Sequence, residues 1–324
     1  MQEGYIDVGG IPTHVMCWGK WISDRFDNSD NELIICVSGN PGLIGFYSKF
    51  LGKLYESLDV CHGKKIPIWG IGHAGHDDPP RNSEKKVPRL KGNEQLFNLQ
   101  GQIHHKMRFI EQYVPKHVKI YMIGHSIGAY MNLELLREPE IKKQVKKSYM
   151  LFPTIERMAA SPNGKLFTRF FPWMTQLAVW IYALFALLPE KVRIFIIFLY
   201  FSVFRIEKQF IGTALKYTQP RIVQKVIHLA VDEMEKVVTP DYDLIRKNSK
   251  ILAFYYGTTD GWTPVEYFND LTKNVPEVEA QLCKRGIAHA FVLKSSNEMA
   301  YLVAEWINGD MDKELAEKKA SRKS

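Results

Sequence analysis

The sequence has few cysteines, and none is placed to chelate or to cross-link. Cys17, Cys36, Cys61 and Cys283 are widely spaced and form no CxxC pair, which excludes a disulfide framework and a zinc site and leaves reduced, mostly buried thiols. The N-terminus, MQEGYIDVGG, lacks a basic stretch followed by an apolar one, so no secretory signal peptide is expected and the chain should begin in the cytosol. Repeats and low-complexity tracts are missing too. With 324 residues, one large domain carrying an insertion is expected, with a core that needs neither disulfides nor metals. The net charge of +8 raises a nucleic-acid partner, but there is no Arg-rich run, zinc-finger spacing or RNP-like aromatic motif, and that partner is rejected. The basic residues instead gather in the tail DKELAEKKASRKS and around one oily stretch, at Lys165, Arg169, Lys191, Arg193, Arg205 and Lys208. Positive charge beside apolar surface suits the anionic headgroups of a cytosol-facing lipid layer.

What is present follows an alternating order. Tyr5–Val8 and Ile11–Trp18, joined by Gly9-Gly10, read as a hairpin. Short apolar runs then recur as LIICVSG from Leu33, IPIWGIG from Ile66, VKIYMIG from Val118, KSYMLFP from Lys147 and KILAFYYG from Lys250, the pattern of strands buried on both faces. Helical patterns separate them at Phe46–Leu58, Leu99–Val114 and Ile127–Arg137. Strand and helix in alternation predict an α/β fold with a mostly parallel sheet covered on both faces. Residues 154–248 break the order with helical and oily segments, as an insertion between two strands.

Gly124-His125-Ser126-Ile127-Gly128 matches G-x-S-x-G between an apolar strand and a helix. A turn that tight needs glycine at Gly124 and Gly128 and leaves the Ser126 hydroxyl at its tip, as a nucleophile elbow. A serine nucleophile needs a histidine to take its proton and a carboxylate to orient that histidine, in the chain order serine, acid, histidine. Of the two downstream histidines, His228 falls in a helical pattern, whereas His289 falls in a loop before the last helix and is the expected base. Asp260, just past a strand and before Pro264, is the expected acid among Asp232, Asp241, Asp243, Asp260 and Asp270. Asp241 or Asp243 is the second choice. The oxyanion donors are expected to be the N–H groups of Ile127 and Asn40, with Gly42 in reserve because Pro41 has none. No metal or organic cofactor is required.

Two histidine-rich stretches are set aside. GHAGHDD has too few histidines and no helix to hold them for a metal, and is assigned to a loop bordering the substrate cleft. His104 and His105 diverge by about 100° on a helix, so they cannot chelate together, and are assigned to surface or packing.

Taken in order, SGNPGLIGFY, GHAGH, GQIHHK, IGHSIGAY, LFPTIERMAASPNG, FYYGTTDGW and AHAF resemble the lipid droplet-associated hydrolase family over nearly the whole chain. The resemblance implies an α/β-hydrolase fold and a serine hydrolase on lipid droplets and the endoplasmic reticulum, linked to sterol esters. It implies Ser126 as nucleophile, Asp260 as acid and His289 as base, in agreement with the residue-level assignment. One departure is Ser38, where many superfamily members carry the histidine of an HG pair.

The expected organisation is a catalytic domain over 1–153 and 249–312, a cap insertion over 154–248 and a basic tail over 313–324. Within the cap, the oily stretch 170–204 is expected as two helical runs, from Pro172 to Leu188 and from Ile194 to Phe204. The sixteen residues from Trp173 to Leu188 and the eleven from Ile194 to Phe204 would span about 24 and 16 Å, short of a hydrocarbon core of about 30 Å. Trp173, Leu177, Trp180, Leu184 and Leu188 share one face, with Thr175, Val179, Tyr182 and Ala186 opposite, which fits a helix lying in a lipid interface; a re-entrant hairpin, at a cost for the charges of PEKVR, and a cap helix pair packed on the catalytic domain are the alternatives. The expected partners are a lipid ester and the surface of a lipid droplet monolayer or the endoplasmic reticulum; the sequence does not identify protein partners. The rival from another class is a droplet-bound structural or adaptor protein that keeps the hydrolase fold with little catalysis.

Overall fold

The computed structural model describes residues 1–26, 31–60, 65–80 and 82–321, and the side chains of all of these except 171–176 and 318. Cys61 and the side chain of Trp173 therefore lie outside the described residues, while Cys17, Cys36 and Cys283 are free and buried.

The strands are β1 Gln2–Val8, β2 Ile11–Trp18, β3 Glu32–Val37, β4 Ile68–Ile71, β5 Lys119–His125, β6 Val145–Leu151, β7 Leu252–Gly257 and β8 Glu279–Cys283. They form one sheet in the order β1-β2-β4-β3-β5-β6-β7-β8. β1 and β2 close their hairpin over Gly9 and Gly10, both at positive φ, the conformation that a tight turn demands and glycine accepts without strain. β2 meets β4 antiparallel, and every pairing from β4 to β8 is parallel.

The helices are α1 Ser48–Ser57, α2 Glu94–Phe97, α3 Leu99–Tyr113, α4 Ile127–Leu135, α5 Pro139–Gln144, α6 Pro162–Leu187, α7 Glu190–Phe204, α8 Ile211–Tyr217, α9 Pro220–Lys236, α10 Tyr242–Lys247, α11 Val265–Asn274 and α12 Ser296–Ser321. Successive strand residues point to opposite faces, so the apolar runs feed two cores at once. Leu33, Ile35, Val37, Ile120 and Met122 pack with α3, α4 and α11, while Ile34, Cys36, Tyr121 and Ile123 pack with α1 and α12. Both faces are covered, and loops at the carboxyl ends of β3, β5, β7 and β8 meet at one edge of the sheet.

Between β6 and β7 the chain is helical. The sequence placed the start of the first oily run at Pro172, and the structure corrects this: α6 begins at Pro162 and passes through that position. Ser161 caps the helix by accepting from the Gly164 N–H at 3.0 Å, and Pro162 occupies the first turn. Together they are a stronger start signal than an isolated proline further on. The second run also starts early, at Glu190, directly after Pro189. α6 packs against α9, and α7 against α8. α7 turns Arg193, Ile197 and Phe201 inward, so Arg193 is not one of the cations that face solvent beside the oily stretch. Among the described residues, no helix is long and apolar enough to cross a membrane.

Candidate active site

Ser126 stands between the last residue of β5 and the first of α4, with φ 54° and ψ −124°. A non-glycine residue there costs about 1–3 kcal/mol and persists only where its surroundings enforce it. They do: the Ser126 N–H donates to the Leu151 carbonyl at 3.0 Å, and its carbonyl accepts from Ala129 N–H at 3.0 Å and Thr154 N–H at 3.3 Å. A Cβ at Gly124 would come within 2.7 Å of the Ala129 Cα, and one at Gly128 within 2.4 Å of the Val37 carbonyl oxygen. Both are backbone contacts that no side-chain motion relieves.

Asp260 and His289 come to this turn from the ends of β7 and β8. His289 Nδ1 donates to Asp260 Oδ2 at 2.6 Å, and His289 Nε2 lies 2.9 Å from Ser126 Oγ. With its proton on Nδ1, the ring presents a lone pair to the hydroxyl. Asp260 also accepts from Trp262 N–H at 2.8 Å and from Thr263 Oγ1 at 2.8 Å. Burial pushes the Asp260 carboxyl up, but the hydrogen bond and charge of His289, with the Trp262 and Thr263 donors, hold it below the usual carboxylate range. Thr263 went unnoticed in the sequence, although an aspartate followed by residues that turn back on its side chain is a recognisable local pattern.

The other candidates do other work. Asp241 caps α10 through Leu244 N–H and pairs with Arg137; Asp243 pairs with Arg246, and Asp270 with Arg157. Asp232 accepts from Leu99 N–H, and His228 lies against the Glu94 carbonyl. Among the described residues, the side-chain partner of Ser126 Oγ is His289 and none of these. Among the described residues neither the Asn40 N–H, in the loop after β3, nor the Ile127 N–H, at the start of α4, has a hydrogen-bond partner, whereas Gly42 N–H is already spent on Gly39 O at 2.7 Å. The reserve donor is therefore withdrawn. Ser38 is buried, and the residue after it is constrained: a Cβ at Gly39 would reach 2.8 Å from the Ser126 Cβ.

The GHAGHDD loop does not border the cleft but stands one layer behind it. His76 Nδ1 donates to the Pro41 carbonyl at 2.7 Å. Asp77 accepts from Tyr5 and lies 2.8 Å from His14 Nδ1 and 3.1 Å from Lys216 Nζ, while Asp78 pairs with Arg221. Lys216 and Arg221 belong to α8 and α9, so the loop fastens the insertion to the sheet. Among the described residues no cluster could hold a metal. His105 is buried against Thr13, and His104 touches Gln100 on the outside.

Beside Ser126 lies a cleft of about 560 Å³. Asn40, Tyr47, His125 and His289 line its catalytic end, and Tyr182, Ile197, Tyr200, Phe201, Ala214 and Tyr217 line the part built by the insertion. Such walls suit an apolar chain leading to a carbonyl at the serine. The outer faces of the same helices are apolar and exposed: Leu177, Trp180, Leu184 and Leu188 on α6 and its last turn, and Phe195, Leu199 and Val203 on α7. Val179, Tyr182 and Ala186 turn partly inward.

Asn40 is held from the insertion. Its Nδ2 donates to the Val226 carbonyl at 3.0 Å and to Glu233 Oε1 at 3.2 Å, both on α9. Burial raises the Glu233 carboxyl to about 8. Folded protein thus keeps this proton where unfolded chain releases it near pH 4.5, so the stability it confers is complete below about 4.5 and is lost as pH rises toward 8. Glu233→Gln keeps the acceptor without the titration. Its melting temperature should match the wild type at pH 5 and exceed it increasingly up to pH 8, the gap growing by at most about 1.4 kcal/mol per pH unit. Parallel melting curves across that range check this, and a constant gap refutes it. Lys106 and Lys225, lowered by burial to about 7 and 8, contribute equally to both proteins and cancel.

The model of the "Lipid-droplet associated hydrolase" family matches residues 30–292. The chain is 49% identical over 308 residues to a "Lipid droplet-associated hydrolase" of Drosophila melanogaster, covering 95% of this chain and 98% of that one. It is 38% identical over 323 residues to the protein of that name from Mus musculus, covering 95% of each. Among solved structures it is similar to a carboxylesterase structure from the ammonia-oxidizing Thaumarchaeon Nitrososphaera gargenis, with TM-score 0.62, 14% identity and coverage of 96% and 100%. A likeness at that identity speaks for the fold, the α/β-hydrolase fold.

Proposed function

Since this chain belongs to the lipid droplet-associated hydrolase family, we propose that it is a serine hydrolase cleaving a lipid ester at the cytosolic face of a droplet or endoplasmic reticulum surface. The observation that carries this is the unbroken path from Asp260 through His289 to Ser126 at the head of an apolar cleft. Ser126 Oγ attacks the ester carbonyl while His289 Nε2 takes its proton, and Asp260 holds the ring and stabilises the imidazolium. The Asn40 and Ile127 N–H groups receive the developing oxyanion. Collapse expels the alcohol, which takes the proton back from His289, and water repeats the sequence on the acyl-serine.

The cap reading over 154–248 is supported by the insertion residues that wall the cleft. The exposed apolar faces of α6 and α7 support seating on a lipid monolayer, with Lys165, Arg169, Lys191, Arg205 and Lys208, all exposed, reaching toward headgroups. Among lipid esters, the family resemblance favours sterol esters.

Treatment with a fluorophosphonate probe followed by peptide mapping should leave one phosphonylated residue, Ser126. No adduct, or an adduct elsewhere with Ser126 untouched, overturns the mechanism. Emulsions of sterol ester, acylglycerol and phospholipid then rank the substrates, and a sterol ester cleaved slowest of the three removes that preference while leaving the mechanism standing.

A further inference from the structure

His125, the residue before the nucleophile, is buried, and its two ring nitrogens are engaged on opposite sides. Nδ1 lies 2.5 Å from Tyr47 Oη and Nε2 lies 2.9 Å from the His289 carbonyl. Tyr47 Oη in turn receives the Gly39 N–H at 2.7 Å. Burial, with the nearby His289, lowers the His125 ring to about 3, so it is neutral near pH 7 and carries one N–H. A carbonyl only accepts, so that proton is on Nε2 and Nδ1 is a bare acceptor. Tyr47 must therefore donate its hydroxyl proton to Nδ1, leaving its oxygen to accept from Gly39. Every proton in the chain has one allowed place.

The ends of this chain matter. Gly39 immediately precedes Asn40, and His289 carries the ring that faces Ser126. The loop from Lys284 to Ala290 has no regular secondary structure, and the His125 contact ties its backbone to the strand bearing the nucleophile. We propose that Tyr47 and His125 are positioning residues for catalysis, a proton-ordered link that sets the oxyanion loop and the backbone of the base at a common distance from Ser126. The proposal rests on the serine-hydrolase reading above. Neither side chain exchanges a proton with substrate.

A packing role gives a different expectation, because His125 also lies among aromatic rings, 4.8 Å from Phe291 and 6.3 Å from Phe152. If shape alone matters, His125→Phe is the mild change. If the Nε2 donor matters, His125→Gln is the mild one, since glutamine can place an amide N–H where Nε2 was, whereas asparagine places it where Nδ1 was. With a soluble short-chain ester, His125→Phe, His125→Asn and Tyr47→Phe should lose on the order of 10- to 100-fold in kcat, with KM within about twofold, and His125→Gln should recover most of the loss.

Fluorophosphonate labelling and melting temperature are read on each variant. His125→Phe matching the wild type in kcat overturns the proposal, and so does His125→Gln no better than His125→Phe when both melt like the wild type. Should His125→Phe fail to fold, Tyr47→Phe decides alone, because it removes one oxygen and keeps the ring. Unchanged kcat then refutes the link, and reduced kcat with unchanged KM and melting supports it. Absence of labelling in the wild type itself would sink the underlying mechanism rather than the link.

Discussion

Replacing Asp260 by asparagine is expected to lower kcat on a soluble ester by about four orders of magnitude with the fold intact. The carboxylate accepts from four donors, Trp262 N–H, Thr263 N–H, Thr263 Oγ1 and His289 Nδ1. An asparagine can satisfy Trp262 with its oxygen, but its NH2 then faces His289. That donor drives the imidazole proton from Nδ1 to Nε2, where it confronts the Ser126 hydroxyl instead of accepting from it. The negative charge that would stabilise an imidazolium is lost in the same change. Asp241→Asn and Asp243→Asn are the controls, since one caps α10 and the other pairs on the surface with Arg246. They should hold kcat within about twofold and cost stability at most about 1 kcal/mol. Steady-state rates with parallel melting curves check the ranking, and the opposite order would show that the acid has been misassigned.

The second large effect concerns location. Changing Leu177, Trp180, Leu184 and Leu188 together to serine should release the protein from lipid droplets while leaving Ser126 reactive. These residues are 58%, 69%, 64% and 38% exposed, so more than half of each of the first three, and over a third of Leu188, is available to a lipid phase rather than committed to the sheet. At about 1 kcal/mol or more of transfer energy each, partitioning should fall by about three decades. Flotation with phospholipid-coated triolein, together with hydrolysis of a short water-soluble ester, reads both properties. Loss of both with a lowered melting temperature would show that the four side chains are needed for packing.

What could be read from the residues follows from which forces act locally. Strands β3 to β7 declare themselves because burial on both faces makes them short unbroken apolar runs, whereas β8 at the sheet edge keeps alternating exposed positions and forms no such run. The candidates Ser126, Asp260 and His289 were legible because the first two stand in turns just past a strand and the third in a loop before the last helix, where the chain order serine, acid, histidine narrows the choice. The link through Tyr47 and His125 was not legible: it joins residues 78 and 164 positions apart and leaves no local pattern. Arg193 was misjudged because a charged residue in an oily helix was assigned outward, while its placement depends on the i, i+4, i+8 stripe it shares with Ile197 and Phe201. The start of α6 was missed because Pro172 was weighed as a boundary, and the cap formed by Ser161 with Pro162, ten residues earlier, was not.

The fastening of Asn40 bears on how such proteins can diversify. Its side chain is held by Val226 and Glu233, 186 and 193 positions downstream, so a loop of the sheet domain borrows its shape from the inserted segment. Insertions are natural units for recombination, yet a chimera that replaced residues 154–248 with a foreign segment would also discard the two acceptors that hold this loop. A viable graft must bring an equivalent carbonyl and acid to the same place, or carry the loop after β3 with it. The heritable module is therefore discontinuous, pairing α9 with a few residues far upstream, and swaps that respect only the apparent boundary should give folded proteins in which the Asn40 loop has lost its anchor.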